Sequence, residues 1–317
     1  MISLIIVNYK TPALLRGCLR SIEEHCPGAE VLVVDNASAD GSAEMVRDEF
    51  PRAILFESPV NLGFAAANNV GLAACRGDAV VLLNSDTIVE DDSLQRCASW
   101  LVENPNVGAL SPGLIGVDGR PQRCLYRFPS AKGRLRSALR LPEPREEDGE
   151  GWLAGTALMV RREALESIGG RLDDHFFMYW EDADFSSRLR EAGWRLATLP
   201  DAHIRHYGGA SGGGADDSRR SDLYAWYVYG RHRWFAKHRP PTESALMWAL
   251  DALDVARKLT RGLTRPSRRC EVAQARVLAT VLAGRLVGQA PPRPGRLLAR
   301  RARAVSSPSR RSTQSCP

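Results

Sequence analysis

The sequence predicts an α/β protein: a Rossmann-like, doubly wound, mostly parallel sheet with a C-terminal helical, basic tail. Three observations predict it. Short β-branched apolar runs recur near the N-terminus, helical patterns separate them, and charge divides the chain into an acidic body and a basic end.

The apolar runs are Ile2–Val7, Glu30–Val34, Ala53–Glu57 and Ala79–Leu83. They are continuous rather than alternating, as expected of parallel strands buried on both faces. Between them, Pro12–His25 repeats Leu14, Leu15, Cys18, Leu19 and Ile22 at helical spacing, and Ser42–Phe50 and Phe64–Cys75 follow. This alternation predicts right-handed crossovers and a ligand crevice beyond the carboxyl ends of the strands. Three of those ends are polar: Asn8-Tyr9, Asp35-Asn36 and Asn84-Ser85-Asp86. Farther on, Asp91–Glu103 reads as a helix stopped by Asn104-Pro105. Ala131–Gly149 is charged, contains proline and has no period, so a mobile loop is expected. Gly155–Val160 reads as a strand, Arg161–Ile168 as a helix ended by Gly169-Gly170, and Glu181–Ala192 as a helix followed by Gly193. Gly208–Gly214 is a glycine-rich loop.

The expected organisation is a body over 1–238, a hinge at Pro240-Pro241, an amphipathic helical extension over 239–290, and an Arg/Ser/Pro-rich tail over 291–317 expected to be disordered. The net charge of +6 hides an asymmetry. From His238 onward there are 16 Lys/Arg against 4 Asp/Glu, leaving 27 basic and 33 acidic residues before it. An acidic body suits carboxylates gathered around a cation, and a basic tail suits an anionic surface. In the extension, Glu243–Leu263 sets Leu246, Ala249, Leu250, Leu253, Ala256 and Leu259 on one stripe beside Lys258 and Arg261, a helix that docks on the body or on anionic lipid. Val272–Val287 is a second such candidate. Seven scattered cysteines without a CxxC pair point to free thiols in a reducing compartment. No apolar stretch reaches spanning length and no signal-peptide pattern opens the chain. A cytoplasmic protein is expected, at most peripheral on the inner face of the membrane.

Three segments carry chemistry. Asp35, at the end of Val33-Val34, can accept hydrogen bonds from a pyrimidine ring or a ribose, or can simply close an Asx-turn. Asp86 can help hold a hard divalent cation that neutralises a diphosphate, or can tip a turn. In Phe176-Phe177-Met178-Tyr179-Trp180-Glu181-Asp182-Ala183-Asp184, apolar bulk runs into three carboxylates. Asp182 there can act as a base, its pKa lifted by the aromatic wall and by Glu181 and lowered by a helix dipole; the alternative is an acidic helix start. Asp184 and Arg188 form an ordinary i, i+4 pair. Of the two histidines His203 and His206, the second, next to the glycine-rich loop, is the better ligand candidate. Dinucleotide, P-loop, HExxH and GxSxG motifs are absent.

In this order the segments resemble family 2 glycosyltransferases of the GT-A fold, in particular their bacterial rhamnosyltransferase-like branch. The matching pieces are Ile5 to Lys10, Val33 to Ser38, Asn61 to Ala65, Leu83 to Asp86, Gly155 to Leu158, Phe176 to Asp184 and His206 to Ser211. The resemblance implies an inverting, metal-dependent transfer from a nucleotide-sugar, with dTDP-rhamnose the best guess for the donor and UDP- or GDP-sugars the alternatives. It implies a lipid-linked or polysaccharide acceptor in cell-surface glycan synthesis. It implies Asp182 as catalytic base with Glu181 beside it, and Asp86 and His206 as ligands of Mg2+ or Mn2+. Asn8, Tyr9, Asp35, Asn61, Gly63, Asn84, Ser85, Gly155 and Thr156 would line the donor site. Two departures stand out: Asn84 replaces the first aspartate of the family's metal motif, and Gly169 to Asp174 replaces a shorter acidic segment. Nucleotidyl transfer would call for a basic glycine-rich loop where Asn8 to Pro12 stand. Nucleic-acid binding would call for aromatics among the tail's arginines, so no nucleic-acid partner is expected.

Overall fold

The computed structural model describes residues 1–139, 141, 151–208, 217–264 and 269–286. Residues 142–150 of the charged stretch, the glycine-rich loop from 209 on, Val287 and the 291–317 tail lie outside the described residues. The chain divides into two compact units, residues 1–129 with 144–214, and residues 130–143 with 215–317.

In the first unit, β1 (Ile2–Asn8), α1 (Pro12–His25), β2 (Glu30–Asp35), α2 (Ser42–Glu49), β3 (Ile54–Glu57), α3 (Phe64–Ala74) and β4 (Ala79–Asn84) alternate as expected. The four strands are parallel in the order β3-β2-β1-β4. Alternate residues point to opposite faces. Leu4, Ile6, Val33, Val81 and Leu83 therefore enter one core and Ile5, Leu32, Val80 and Leu82 another. Burial on both faces is why these strands read as unbroken apolar runs. α1 starts with Pro12 in its first turn and lays Leu15, Cys18, Leu19 and Ile22 on the first core. Burial pushes the Cys18 thiol up to about 12, so it packs as a small apolar side chain.

Beyond β4 the sheet is less parallel than expected. β5 (Thr87–Val89) and α4 (Ser93–Glu103) lead to β6 (Val107–Gly116), β7 (Pro121–Gln122) and β8 (Leu125–Arg127). After the second unit's α5 (Ala131–Ala138) come β9 (Gly151–Leu153), β10 (Ala157–Arg161), α6 (Arg162–Ser167), α7 (Glu181–Glu191) and β11 (Arg195–His206). The sheet continues β4-β10-β6-β11-β5, with β7 on β6, while β8 and β9 pair separately. β10 runs antiparallel to β4, Ala157 opposite Leu83, because the chain re-enters the sheet from its carboxyl edge. That reversal brings Gly155-Thr156 to the end of β4, where the Thr156 carbonyl accepts a bond from the Asn84 N–H at 2.9 Å.

The second unit is helical: α5, α8 (Asp217–His238), α9 (Pro241–Thr264) and α10 (Arg269–Leu286). One expectation is corrected here. Residues 131–138 are a helix rather than a loop, started by the Ser130 hydroxyl, which accepts from the Gly133 N–H at 2.9 Å. Pro241 opens α9, where a missing N–H costs nothing.

Candidate active site

The carboxyl ends of β1, β2 and β4 are held level by register, Asn8 opposite Asp35 and Val7 opposite Asn84. Buried Asn8 donates to the Asp35 carboxylate at 3.2 Å and to the Ser38 hydroxyl at 3.0 Å, and the Ser38 N–H donates to the other Asp35 oxygen at 3.1 Å. Asp35 thus closes the turn, and each oxygen keeps a lone pair for a further donor. Thr11 joins this network to Ser85, donating to Asn8 at 2.8 Å with its oxygen 3.0 Å from the Ser85 hydroxyl. Tyr9 lies on the rim, its ring 5.4 Å from the Lys10 ammonium. The Asn61 side chain accepts from Asn36 at 3.1 Å and from the Gly63 N–H at 2.9 Å.

Gly63 is required by contact as well as conformation. Its φ is +84°, and a Cβ there would stand 2.2 Å from the Phe177 carbonyl oxygen. The Phe64 N–H donates to that same oxygen at 2.7 Å. The Asn61-Leu62-Gly63 loop is therefore clipped to the segment that carries the acids. Among the described residues, the non-glycine positive-φ positions are Lys10, Ala37, Ala39, Tyr179 and Trp180. All five flank these strand ends or immediately precede the acids, which is where strained backbone marks function.

α7 begins at Glu181, with Trp180 left-handed before it. Asp182 receives the Gly155 N–H at 3.1 Å and the Ala183 N–H at 2.8 Å. Burial raises its carboxyl to about 6 against these bonds. So desolvation outweighs the helix start. Glu181 is buried and its carboxyl is raised further, by burial first and then by the Asp182 charge. One Glu181 oxygen has no hydrogen-bond partner among the described residues. Asp184 is buried on Arg188 at 2.9 Å, the structural pair expected from its spacing.

Asp86 is 5% exposed, and its Oδ1 lies 3.4 Å from His206 Nε2. The Asp86 carbonyl accepts from the Tyr207 N–H at 2.9 Å, which fixes the end of β11 beside it. Gln122 donates through its amide nitrogen to the His206 carbonyl at 3.1 Å, so its oxygen faces His206 Nδ1 at 2.7 Å. That oxygen can only accept, which puts a ring proton on Nδ1. Nε2 facing the Asp86 carboxylate then calls for positive charge, either a second ring proton or a cation between the two groups. With the ring neutral, Nε2 and the carboxylate offer two protein donors to a divalent cation. His203 is exposed.

A model of glycosyl transferase family 2 matches residues 3–169. The chain belongs to that family. This family 2 glycosyltransferase is 32% identical over 203 residues to the N-acetylglucosaminyl-diphospho-decaprenol L-rhamnosyltransferase of Mycobacterium tuberculosis, an alignment covering 56% of this chain and 66% of that one. The chain thus spans just under two thirds of that relative's length. Among solved structures it is similar to the mannosyltransferase PcManGT of Pyrobaculum calidifontis in complex with GDP-Man and Mn2+, with a TM-score of 0.54, 21% identity, and coverage of 96% of this chain and 81% of that one. It is also similar to S. aureus TarS 1–349, with a TM-score of 0.51, 16% identity, and coverage of 91% and 92%. These likenesses show the GT-A fold.

In this family 2 chain hydrogen bonds join several of the expected site residues. Asn8, Asp35 and Ser85 share one network, while Gly155-Thr156 bridges Asn84 to Asp182. Gln122, Ser38 and Thr11 were not singled out from the sequence, and a lone Gln in a two-residue strand gives no signal to read. The consecutive residues Asp173, Asp174 and His175, at the end of the segment that departs from the family pattern, place ligand atoms within 4.8 Å of one another. Its groups are bonded within the turn, His175 to Asp173 at 2.9 Å and Asp174 to Arg171 at 2.5 Å.

Proposed function

We propose that this chain is an inverting, metal-dependent glycosyltransferase that moves a sugar from a nucleotide-sugar to a lipid-linked acceptor, with rhamnose from dTDP-rhamnose the leading donor. The observation that carries the reading is the carboxylate of Asp182. It is lifted to about 6 and aimed by two backbone N–H groups, in a segment clipped to the donor loop. A base with its pKa near the working pH combines a useful ionised fraction with real proton affinity. Asp182 would take the proton of the acceptor hydroxyl as that oxygen attacks the anomeric carbon. The bond to the nucleoside diphosphate breaks on the opposite face, so configuration inverts. Burial and the Asp182 charge both push the Glu181 carboxyl up, which opposes a second negative charge beside Asp182.

On the donor side, Asp35 and Asn8 would bind the base and ribose, with Tyr9, Asn61 and Gly63 shaping the crevice. Asn84, Ser85 and Gly155-Thr156 would line the sugar. Asp86 and His206 would hold Mg2+ or Mn2+, which when bound offsets the charge on the leaving diphosphate. Support for the donor and acceptor comes from the Mycobacterium tuberculosis relative, whose name describes rhamnose transfer to a diphospho-decaprenol carrier.

The experiment is a donor titration followed by a product assay. Calorimetry with dTDP, UDP and GDP in the presence of Mn2+ should show dTDP tightest, while preference for UDP or GDP would reassign the donor. Binding of none of the three removes the reading. NMR of the product from dTDP-rhamnose and an N-acetylglucosaminyl-diphospho-lipid should show the inverted anomer, and retention would exclude Asp182 as base in a single displacement.

A further inference from the structure

α9 turns a carboxylate inward and leucines outward. Asp251 is fully buried, 2.8 Å from His232 Nε2, in contact with Arg231, and 3.6 Å from Arg134. Met247, one turn earlier, is buried on the same face. The opposite face carries Ala245, Leu246, Ala249, Leu253 and Ala256, spaced three, four and seven apart so that they share one side. All are exposed, Leu246 by 46% and Leu253 by 66%, and exposed Arg257 continues the stripe. A helix serving as a lid on a core would do the reverse, since apolar area belongs out of water and an ionised group in it.

The charge cluster explains what holds this orientation. Rotating α9 to hide the leucines would strip Asp251 of His232 and Arg231 on α8 and of Arg134 on α5. The other acids of α9 are also engaged on the packed side. Glu243 accepts the Ala131 N–H at 2.8 Å, and Asp254 bridges Arg134 at 3.6 Å and Lys258 at 3.0 Å. The outward face therefore presents apolar groups and an arginine with no carboxylate among them.

We propose that this outward face of α9 is a docking surface for an anionic lipid bilayer. Two leucines on a bed of alanines suit shallow insertion at the headgroup boundary. Basic charge complements an anionic leaflet: exposed Arg257 continues the stripe, and the sequence from His238 onward carries 16 Lys/Arg against 4 Asp/Glu. The face is locked outward by an ionic cluster that is independent of the sugar-transfer site, so the inference stands or falls separately from the proposed reaction.

The test uses the full chain and sedimentation with vesicles of phosphatidylcholine alone or mixed with phosphatidylglycerol. The wild-type chain should pellet with the mixed vesicles, weakly or not at all with the neutral ones, and less as salt rises. The Leu246→Glu/Leu253→Glu double variant should partition about tenfold more weakly or worse, and Arg257→Glu about fivefold more weakly. Both replace exposed side chains, and unchanged circular dichroism and thermal unfolding establish that they fold. Equal sedimentation of wild type and double variant overturns the proposal. So does a wild type that ignores both vesicle types and elutes as a dimer broken by the double variant, which would assign the face to a second copy of the chain.

Discussion

Asp182 is half-buried and Asp251 fully buried, and the two units treat their carboxylates in opposite ways. Burial lifts Asp182 to about 6, and only backbone N–H groups act against it. Burial pushes Asp251 the same way, but His232, Arg231 and Arg134 outweigh it and hold the carboxyl below its ordinary range. Backbone dipoles orient a carboxylate and leave it able to accept a proton; cations fix it as an anion. The first arrangement suits proton transfer and the second suits architecture.

The largest expected effect tests the first half of that contrast. Asp182→Asn should lower turnover about a hundred- to ten-thousand-fold and leave Mn2+-dependent nucleotide binding intact; near-normal turnover would take the base role away from Asp182. Wild-type turnover should rise with pH through about 6, because the active form is the one without the proton. A profile that is level across that range would break the link between burial and chemistry. The second half is tested by Asp251→Asn, which leaves Arg231 and Arg134 facing a neutral group. Urea unfolding should report a loss of about 3–5 kcal/mol, with turnover per folded molecule unchanged. Lost turnover in the folded fraction would mean that Asp251 serves the chemistry as well.

Two smaller effects sharpen the comparison. Gln122→Ala should weaken Mn2+-dependent donor binding about ten- to a hundredfold by freeing the His206 ring, and Asp86→Ala should weaken it at least as much. Calorimetry with and without Mn2+ reads both, and a Gln122→Ala chain with unaltered Mn2+ dependence would remove the tautomer argument. The last effect is on stability. Asp182 has a folded pKa above its ordinary value of 3.8, so its ionised form is disfavoured by folding. Its contribution is intact below pH 3.8, declines as pH rises to about 6, and stays lost above that. Asp182→Asn should therefore raise the unfolding free energy by about 1–3 kcal/mol at neutral pH and make no difference in acid. A variant that loses both turnover and stability would be misfolded rather than chemically silenced.

Much of this was legible before any coordinates. β1 to β4 announce themselves because a strand buried on both faces leaves an unbroken apolar run, and the acids of α7 stand out against the aromatics before them. The rest was hidden for physical reasons. β6 contains Gly108, Pro112, Gly113 and Gly116, which read as breaks although its neighbours on both sides complete its ladder. α5 buries little of itself beyond Ala131 and is held by a cap and by Glu243, so it has no apolar period to detect. The α9 stripe was visible from its spacing, but its direction was not. Spacing says which residues share a face, and only the ionic partners of Asp251 say which way that face points.

The contact between Gly63 and the Phe177 carbonyl gives the site a common timing. Two loops joined without room for a methyl group cannot loosen independently, so the crevice that would receive the donor and the carboxylate that would take the proton order and disorder as one cooperative patch. Hydrogen exchange should show the amides of Phe64 and Ala183 opening together. In the proposed reaction the base would then stand ready only while the donor loop is closed.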